Sequence, residues 1–187
     1  MSPSRFRVRG VFRGTVLRIA SPLHRRGVRP DTISHFTLLL SLVAVLTLAI
    51  LRSEPLFGLL VFFIGLLDGV DGAIARMQDS LPPAGGLVDS FVDKVAEALI
   101  LFAVAITYPS EVILGVPVTI WTFFCLFGWL MTSYARARAE SLGVKDLDIG
   151  LGARSERLFI LVLFSTFSLL ILGLVVVSVL GLMTSAY

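Results

Sequence analysis

Four aspartates lie close together in a strongly apolar chain, in the stretch LLDGVDGAIARMQDSLPPAGGLVDSFVDK. Asp68 and Asp71 are spaced i, i+3, and Asp89 and Asp93 are spaced i, i+4, so each pair projects from one face of a helix. Ionised carboxylates within membrane helices are costly and usually face a bundle interior or a water-filled cavity. Converging carboxylates repel one another unless a cation joins them. Because carboxylate oxygens suit hard divalent ions, the pattern predicts a site for two Mg²⁺ ions, with Mn²⁺ as an alternative.

Two metal ions held by four carboxylates would keep coordination positions open for a diphosphate, which bridges metals readily. Activated diphosphates undergo in-line displacement at phosphorus, and the metals offset charge on the leaving group. This chemistry indicates an enzyme that transfers a phosphate-containing group. A different interpretation of the same aspartates is the ion path of a cation transporter.

Other polar residues have simpler interpretations. Lys94 and Glu97 are spaced i, i+3 and are predicted to form an ion pair across one helical turn. The single cysteine, Cys125, lies in an apolar run and is interpreted as a small buried side chain. No P-loop, zinc-ligand spacing or basic–aromatic pattern indicates a nucleic acid partner.

Composition indicates a polytopic, all-α membrane protein. The chain has 187 residues, of which 56% are hydrophobic, and its mean hydropathy is +0.93. Such a composition predicts a single membrane domain over residues 1–187, with the lipid bilayer as its surroundings. Basic residues are concentrated before the first apolar run and again between Arg136 and Arg157. The positive-inside rule therefore predicts a multi-pass protein of the cell membrane with a cytoplasmic N terminus.

The apolar runs predict about six transmembrane helices in a bundle over residues 33–187. Residues 1–26 interleave apolar side chains with arginines, which is typical of an amphipathic helix at the membrane interface. The clearest spans, each near the length that a bilayer core requires, are residues 33–51, 56–75, 86–107 and 112–132. The tail 158–187 is long for one span, so a break near Gly173 is expected to divide it into two. Residues 76–86 are predicted to form the loop between the two aspartate pairs.

The aspartates belong to a longer pattern that resembles the signature of the CDP-alcohol phosphotransferases. All eight fixed positions of that signature are present at their fixed spacing: Asp68, Asp71, Gly72, Ala75, Arg76, Gly85, Asp89 and Asp93. The resemblance implies a six-helix, dimeric membrane enzyme of phospholipid biosynthesis. Members of this family transfer a lipid phosphate group from a CDP-linked lipid to an alcohol and release CMP.

The resemblance also implies a role for each signature residue. Asp68, Asp71, Asp89 and Asp93 would bind the metal ions, and Asp93 would also act as general base on the acceptor hydroxyl. The CDP-lipid would be bound by four further positions, Gly72, Ala75, Arg76 and Gly85. The segment Gly27–Ser34 resembles the family's entry to the first membrane helix, with Asp31 in place of Asn and Ser34 in place of Thr.

A second local resemblance concerns the acceptor. The stretch Ser133–Gly143 and the residues from Arg154 to Arg157 are similar to the branch of the family that uses inositol 1-phosphate. The implied acceptor-phosphate residues are Ser133, Arg136, Arg138 and Arg154, and paired guanidinium groups suit a phosphate ligand. Glycerol 3-phosphate and serine are the alternative acceptors. The lipid is expected to be CDP-diacylglycerol or CDP-archaeol.

Overall fold

The computed structural model describes residues 8–78, 83–144 and 153–186. Within these ranges the helices are α1 (Val8–Arg25), α2 (Pro30–Leu46), α3 (Glu54–Met77), α4 (Pro83–Thr107), α5 (Val118–Ser141), α6 (Arg154–Thr166) and α7 (Leu170–Ala186). A π-helical turn, Thr47–Leu51, extends α2. Two short strands, β1 (Val112–Ile113) and β2 (Val116–Pro117), pair as an antiparallel hairpin before α5. The first seven residues of the predicted interfacial helix lie outside the described ranges.

Local sequence accounts for several of the helix ends. Pro30 occupies the first turn of α2 and Pro55 the first turn of α3, where proline's fixed φ suits a helix and its missing N–H is not needed. Arg52 adopts a left-handed conformation with φ of 49° and ends the π-helical turn. These features make the connection between α2 and α3 short, so the two helices lie side by side.

The structure differs from the predicted boundaries in three places. The fourth predicted span begins at residue 112, but residues 112–117 form the hairpin and α5 begins only at Val118. The break in the C-terminal tail lies between Thr166 and Leu170, not near Gly173, which is buried inside α7. Ser168, with φ of 56°, makes this turn without the glycine or proline that usually signals one. The loop between the aspartate pairs is also shorter than predicted, because α3 extends to Met77 and α4 begins at Pro83.

The helices pack in a connected order that leaves α2 next to both aspartate-bearing helices. Helix α2 contacts α3 and α4, α3 also contacts α6, and α5 packs mainly against α7. The backbones of α5 and α7 approach closely at Gly128 and Gly181, where a Cβ on Gly128 would lie 2.8 Å from the carbonyl carbon of Gly181. Small residues at such crossings let helix backbones approach within membranes. This contact fixes α5, and the arginines at its end, to α7.

Apolar side chains cover both the inside and the outside of the bundle. The core contains Phe57, Ile64, Trp129 and Leu161, while Phe36, Leu39, Phe63, Phe102 and Phe123 are exposed. Helices that are apolar all round are expected in a membrane. In the described part of the chain, three helices are long and apolar enough to cross a bilayer: Pro30–Leu51, Glu54–Met77 and Val118–Ser141. Leu170–Ala186 is a shorter apolar helix.

Helix α1 lies against the bundle beside the aspartates. It contributes Ala20 to a second core cluster with Ile33 of α2 and Ile74 of α3. The Phe12 ring lies 5.6 Å from that of Phe62 on α3 and 6.3 Å from that of Phe159 on α6. Val16 covers Gly69, where a Cβ would lie 3.1 Å from a Val16 methyl group. These contacts hold α1 against the helix face that also carries Asp68.

Candidate active site

The four aspartates converge at one end of the bundle, as their spacing predicts. Asp68 and Asp71 lie in the second half of α3, and Asp89 and Asp93 lie in the first half of α4. Asp71 is buried, whereas Asp68 and Asp93 keep part of their side chains accessible. The carboxylates meet in two pairs, each with one member from α3 and one from α4.

The first pair, Asp71 and Asp89, meets at Ser34 of α2. The Ser34 hydroxyl oxygen lies 3.2 Å from Oδ2 of Asp71 and 3.1 Å from Oδ1 of Asp89. It also lies 3.3 Å from the carbonyl oxygen of Pro30. A hydroxyl has a single proton, so it can donate to only one of these three oxygens at a time. Asp71 also accepts a hydrogen bond of 2.6 Å from the backbone N–H of Gly72. The two carboxylates are thus held near one point with one proton shared between them.

The second pair, Asp68 and Asp93, meets at Arg154, the first residue of α6. Nη1 of Arg154 donates to Oδ1 of Asp68 and to Oδ2 of Asp93. Nε of the same guanidinium lies 2.7 Å from Oε1 of Glu97, an ion pair without the alignment of a hydrogen bond. The other oxygen of Glu97 accepts a 2.7 Å hydrogen bond from Lys94, which confirms the predicted i, i+3 pair. Arg154 therefore joins three carboxylates from two helices.

A cavity of about 410 Å³ opens onto this cluster. The polar part of its wall contains Asp68, Gly72, Arg76, Asp89, Asp93, Arg136, Arg154 and Ser155. The apolar part is formed by side chains of three helices, Phe12 and Val16 of α1, Val61, Phe62 and Leu66 of α3, and Leu158, Phe159 and Val162 of α6. The cavity thus combines a polar part, the charged compartment, with an apolar part, the apolar groove. This combination suits a molecule with a polar head and an apolar tail.

The cavity contains some but not all of the residues that the sequence assigns to substrates. Of the predicted CDP-lipid residues, Gly72 and Arg76 line it and Ala75 does not. Gly85 falls in the first turn of α4, where side-chain surroundings are outside the described part of the structure. Of the predicted acceptor residues, Arg136 and Arg154 line the cavity. Ser133 and Arg138 are not among its described lining residues, and the Ser133 hydroxyl donates to the Trp129 carbonyl.

The donor atoms at this site fit hard divalent ions. Carboxylate and hydroxyl oxygens are the ligands that Mg²⁺ and Mn²⁺ prefer, and a pair of carboxylates that already shares one guanidinium nitrogen is close enough to share one cation. Among the described residues, no three Asp, Glu, His or Cys side chains are grouped as ligands of a single ion. Each carboxylate pair therefore supplies two ligands, and the remaining positions suit oxygens of a substrate.

Two residues of this cluster make contacts that the sequence analysis did not predict. Ser34 lies 37 residues before Asp71 and 55 before Asp89 along the chain, and its only sequence signal is the resemblance of the Gly27–Ser34 segment to the family's entry motif. Glu97 was predicted to pair with Lys94, and it also contacts Arg154. The four-residue spacing of Asp93 and Glu97, which places both on one face of α4, could have indicated this second contact.

The family is defined by comparison with known proteins. The model of the CDP-alcohol phosphatidyltransferase family matches residues 28–186. The chain therefore belongs to this family, and the predicted membership and enzyme class are confirmed.

Named relatives and solved structures agree with this assignment. Archaetidylinositol phosphate synthase of Pyrococcus horikoshii is 32% identical over 167 residues, covering 89% of this chain and 85% of that protein. Phosphatidylinositol phosphate synthase of Mycobacteroides abscessus is 34% identical over 152 residues, covering 80% of this chain and 67% of that protein.

The structural comparison extends over most of the chain. The crystal structure of Mycobacterium tuberculosis phosphatidylinositol phosphate synthase with manganese and citrate has a TM-score of 0.76 at 26% identity, covering 91% of this chain and 85% of that chain. A structure of the same enzyme with CDP-DAG bound has a TM-score of 0.74 at 26% identity, covering 91% of this chain and 89% of that chain.

Proposed function

We propose that the protein transfers a lipid phosphate group from a CDP-lipid to 1L-myo-inositol 1-phosphate and releases CMP, as a step of phospholipid biosynthesis. The observation that carries this proposal is one cavity whose wall contains Asp68, Asp89 and Asp93, the arginines Arg76, Arg136 and Arg154, and an apolar groove. The names of the relatives from Pyrococcus and Mycobacteroides support the same acceptor.

The apolar groove suits the hydrocarbon tails of the lipid. Its walls contain Phe12, Phe62 and Phe159, whose rings contact one another. Burying apolar chains against such side chains contributes about 25 cal/mol for each Å² removed from water. Diacylglycerol and archaeol both present apolar chains, so CDP-diacylglycerol and CDP-archaeol are both candidates. The neighbouring structure that contains CDP-DAG supports a CDP-lipid as donor.

Asp68, Asp71, Asp89 and Asp93 would hold two divalent ions, Mg²⁺ or Mn²⁺. Bound ions would offset the charge of the diphosphate and of the leaving phosphate. The manganese in the Mycobacterium tuberculosis enzyme supports a divalent ion for this family. The carboxylates would otherwise repel one another in a poorly hydrated site, with a single Ser34 proton and one guanidinium nitrogen between them.

Different residues of the chain would serve substrate binding and proton transfer. Arg76, at the end of α3, would bind the nucleotide's phosphates, while Gly72 leaves room in the wall for the nucleotide. Asp93 would accept the proton of the attacking hydroxyl, because its carboxylate lies on the cavity wall. The acceptor oxygen forms a bond to the phosphorus that carries the lipid. The bond from that phosphorus to the bridging oxygen breaks, and CMP leaves with the electron pair.

The phosphate of the acceptor would be bound by arginines from two other helices. Arg136 comes from the end of α5 and Arg154 from the start of α6. Guanidinium groups bind phosphate in bidentate fashion, and this favours inositol 1-phosphate over unphosphorylated inositol or serine. Ser133 and Arg138 complete the predicted acceptor set and would act from outside the described wall. Glycerol 3-phosphate is the alternative phosphorylated acceptor.

The proposed arrangement in the membrane is one domain with α2–α7 as six transmembrane helices, α1 at the interface and the N terminus in the cytoplasm. Basic residues are concentrated before the first apolar run and between Arg136 and Arg157, and Arg136 and Arg154 line the same cavity as Asp68, Asp89 and Asp93, which supports a cytoplasmic site under the positive-inside rule. Inositol 1-phosphate and CMP are water-soluble, so a site at that boundary gives access to both. The family resemblance supports a homodimer.

Purified protein in detergent tests the proposal. The full chain is incubated with CDP-diacylglycerol or CDP-archaeol, with Mg²⁺, Mn²⁺ or excess EDTA, and with inositol 1-phosphate, glycerol 3-phosphate, serine or inositol. We expect CMP release and an inositol-phosphate lipid with inositol 1-phosphate alone, and no turnover in EDTA. CMP release with glycerol 3-phosphate or serine in its place would overturn the acceptor assignment. Turnover that survives EDTA would overturn the metal assignment.

A further inference from the structure

The three nitrogens of the Arg154 guanidinium have different surroundings. Nη1 contacts Asp68 and Asp93 together, and Nε lies 2.7 Å from Glu97. Nη2 is buried and has no hydrogen-bond partner among the described residues, although Arg154 itself lines the cavity. A guanidinium nitrogen left without an acceptor in a buried site is costly. Nη2 is therefore a pair of N–H donors suited to an anion that enters the cavity.

The contact of Nη1 engages two of the oxygens that are assigned to the metal site. A divalent ion between Asp68 and Asp93 and a guanidinium between the same carboxylates would be two cations at one place, so binding of one weakens binding of the other. We propose that Arg154 is an intramolecular competitor of the divalent ion at Asp68 and Asp93, and that Glu97 is the positioning residue that holds it there. This inference rests on the metal site of the proposed function.

Glu97 is well placed for this role. It lies one turn after Asp93 on α4 and is 1% exposed, so its charge requires cationic partners. Lys94 occupies one of its oxygens and Arg154 lies at the other. When a metal ion displaces Nη1 from the aspartates, the Glu97 contact keeps the guanidinium beside the cavity instead of releasing it. Arg154 then has both terminal nitrogens available for the phosphate of the acceptor.

This arrangement predicts an order of binding. While Nη1 is engaged by Asp68 and Asp93, Arg154 offers fewer donors to an incoming phosphate. Metal binding frees those donors, so the acceptor is expected to bind more tightly to the metal-loaded protein. The guanidinium also reduces the repulsion between Asp68 and Asp93 before the metal arrives.

The test measures Mn²⁺ binding directly, by the electron paramagnetic resonance signal of free Mn²⁺ over the full chain in detergent, without substrates. Arg154→Gln removes the competing cation and keeps a side chain of similar length. We expect its dissociation constant for Mn²⁺ to fall about tenfold, within the usual range of couplings between two ligands. Arg154→Lys, which keeps the charge but cannot reach Glu97 and both aspartates together, is expected to show a smaller fall.

Lys94→Gln is the matched control for charge alone. It removes a positive charge from the residue next to Asp93, but the ammonium group contacts Glu97 and not the paired aspartates. Its effect on Mn²⁺ binding is expected to be clearly smaller than that of Arg154→Gln. Equal effects would show that the summed charge around the site controls Mn²⁺ affinity, and not the contact of Nη1 with Asp68 and Asp93. This result would overturn the proposal.

Glu97→Gln tests the positioning role through a double-mutant cycle. The single variant is expected to strengthen Mn²⁺ binding, because Arg154 loses the contact with Glu97 that holds it at Asp68 and Asp93. In the Arg154→Gln background the same change is expected to have little effect, since it acts through Arg154. An effect of Glu97→Gln that persists in that background would contradict the positioning role.

The result separates failure of this inference from failure of the proposed function. If the parent protein does not bind Mn²⁺, the metal site of the proposed function is wrong. If the parent binds Mn²⁺ and both Arg154→Gln and Arg154→Lys leave the dissociation constant unchanged or raise it, only the competition is wrong. Size-exclusion profiles and circular dichroism identify a variant that does not fold, and the remaining Arg154 variant then decides the question.

Discussion

The two ends of the helix bundle use carboxylates in opposite ways. At the end that carries the hairpin, Glu54 accepts a 2.7 Å hydrogen bond from the Tyr108 hydroxyl and a 2.9 Å hydrogen bond from the backbone N–H of Leu170. Each oxygen has its own donor. Burial and the neighbouring Glu54 raise the pKa of Tyr108 well above its ordinary value, so the hydroxyl stays a donor. This carboxylate ties the start of α3 to the end of α4 and the start of α7.

At the opposite end, four aspartates share far fewer donors. Asp71 and Asp89 share one Ser34 hydroxyl, with one further donor to Asp71 from the backbone N–H of Gly72, and Asp68 and Asp93 share one guanidinium nitrogen. A carboxylate whose hydrogen bonds are satisfied within the protein stabilises a fold, whereas carboxylates that share donors can bind an exchangeable cation. The contacts therefore distinguish Glu54, which joins three helices, from the aspartates that are proposed to bind metal ions.

The largest expected effect is at the aspartate end. Asp93→Asn removes the proposed proton acceptor while keeping the size of the side chain. We expect kcat for CMP release to fall about 10³-fold, within the range measured for general bases, with little change in the melting temperature. Glu140→Gln, an exposed change on α5, is the matched control and should leave kcat unaltered. An Asp93→Asn variant with the parent's kcat would remove the distinction between the two ends.

A smaller effect is expected for the arginines at the end of α5. It would define more closely where the phosphate of the acceptor binds. Arg136 lines the cavity and Arg138 does not, so Arg136→Lys should raise the KM for inositol 1-phosphate more than Arg138→Lys. We expect about tenfold for Arg136→Lys, as for loss of one hydrogen bond to a charged group. The KM for the CDP-lipid serves as the internal control in both variants. A larger effect of Arg138→Lys would place the acceptor phosphate outside the described wall.

The smallest expected effect on catalysis is at the Glu54 end. Glu54→Gln replaces one accepting oxygen by an N–H₂ group that faces a donor, so we expect a loss of about 1–3 kcal/mol in unfolding free energy. Tyr108→Phe removes only one hydrogen bond and should cost about 1 kcal/mol. Thermal unfolding in detergent measures both, and kcat should stay at the parent's value. A loss of kcat comparable to that of Asp93→Asn would contradict the structural assignment of Glu54.

Sequence periodicity was enough to predict the core of the site. The i, i+3 and i, i+4 spacings placed each aspartate pair on one helix face, and the apolar runs placed α3 and α4 within a few residues of their ends. Ser34 and Arg154 were harder, because their contacts join residues 37 to 86 positions apart and depend on how the helices pack. Arg154 was assigned to the acceptor phosphate, and its contacts with Asp68 and Asp93 have no local sequence signal.

The errors in the fold have local causes. Residues 112–117 form an apolar run that is too short for periodicity to distinguish strand from helix, so the hairpin was assigned to the following span. The turn between α6 and α7 depends on Ser168 in a left-handed conformation, which no glycine or proline indicates. Gly173 suggested a break instead, but its lack of a side chain serves a close contact with Phe164, whose Cβ would lie 2.7 Å from an added Cβ.

Helix α1 supplies part of the cavity wall through Phe12 and Val16, and it reaches the bundle only across side chains. A chain shortened to begin at Pro30 would retain every aspartate and arginine of the charged compartment. Without α1, however, the apolar groove would be open to the surrounding lipid on one side. In the proposed function, the N-terminal helix would therefore shield one side of a bound lipid tail from the bilayer.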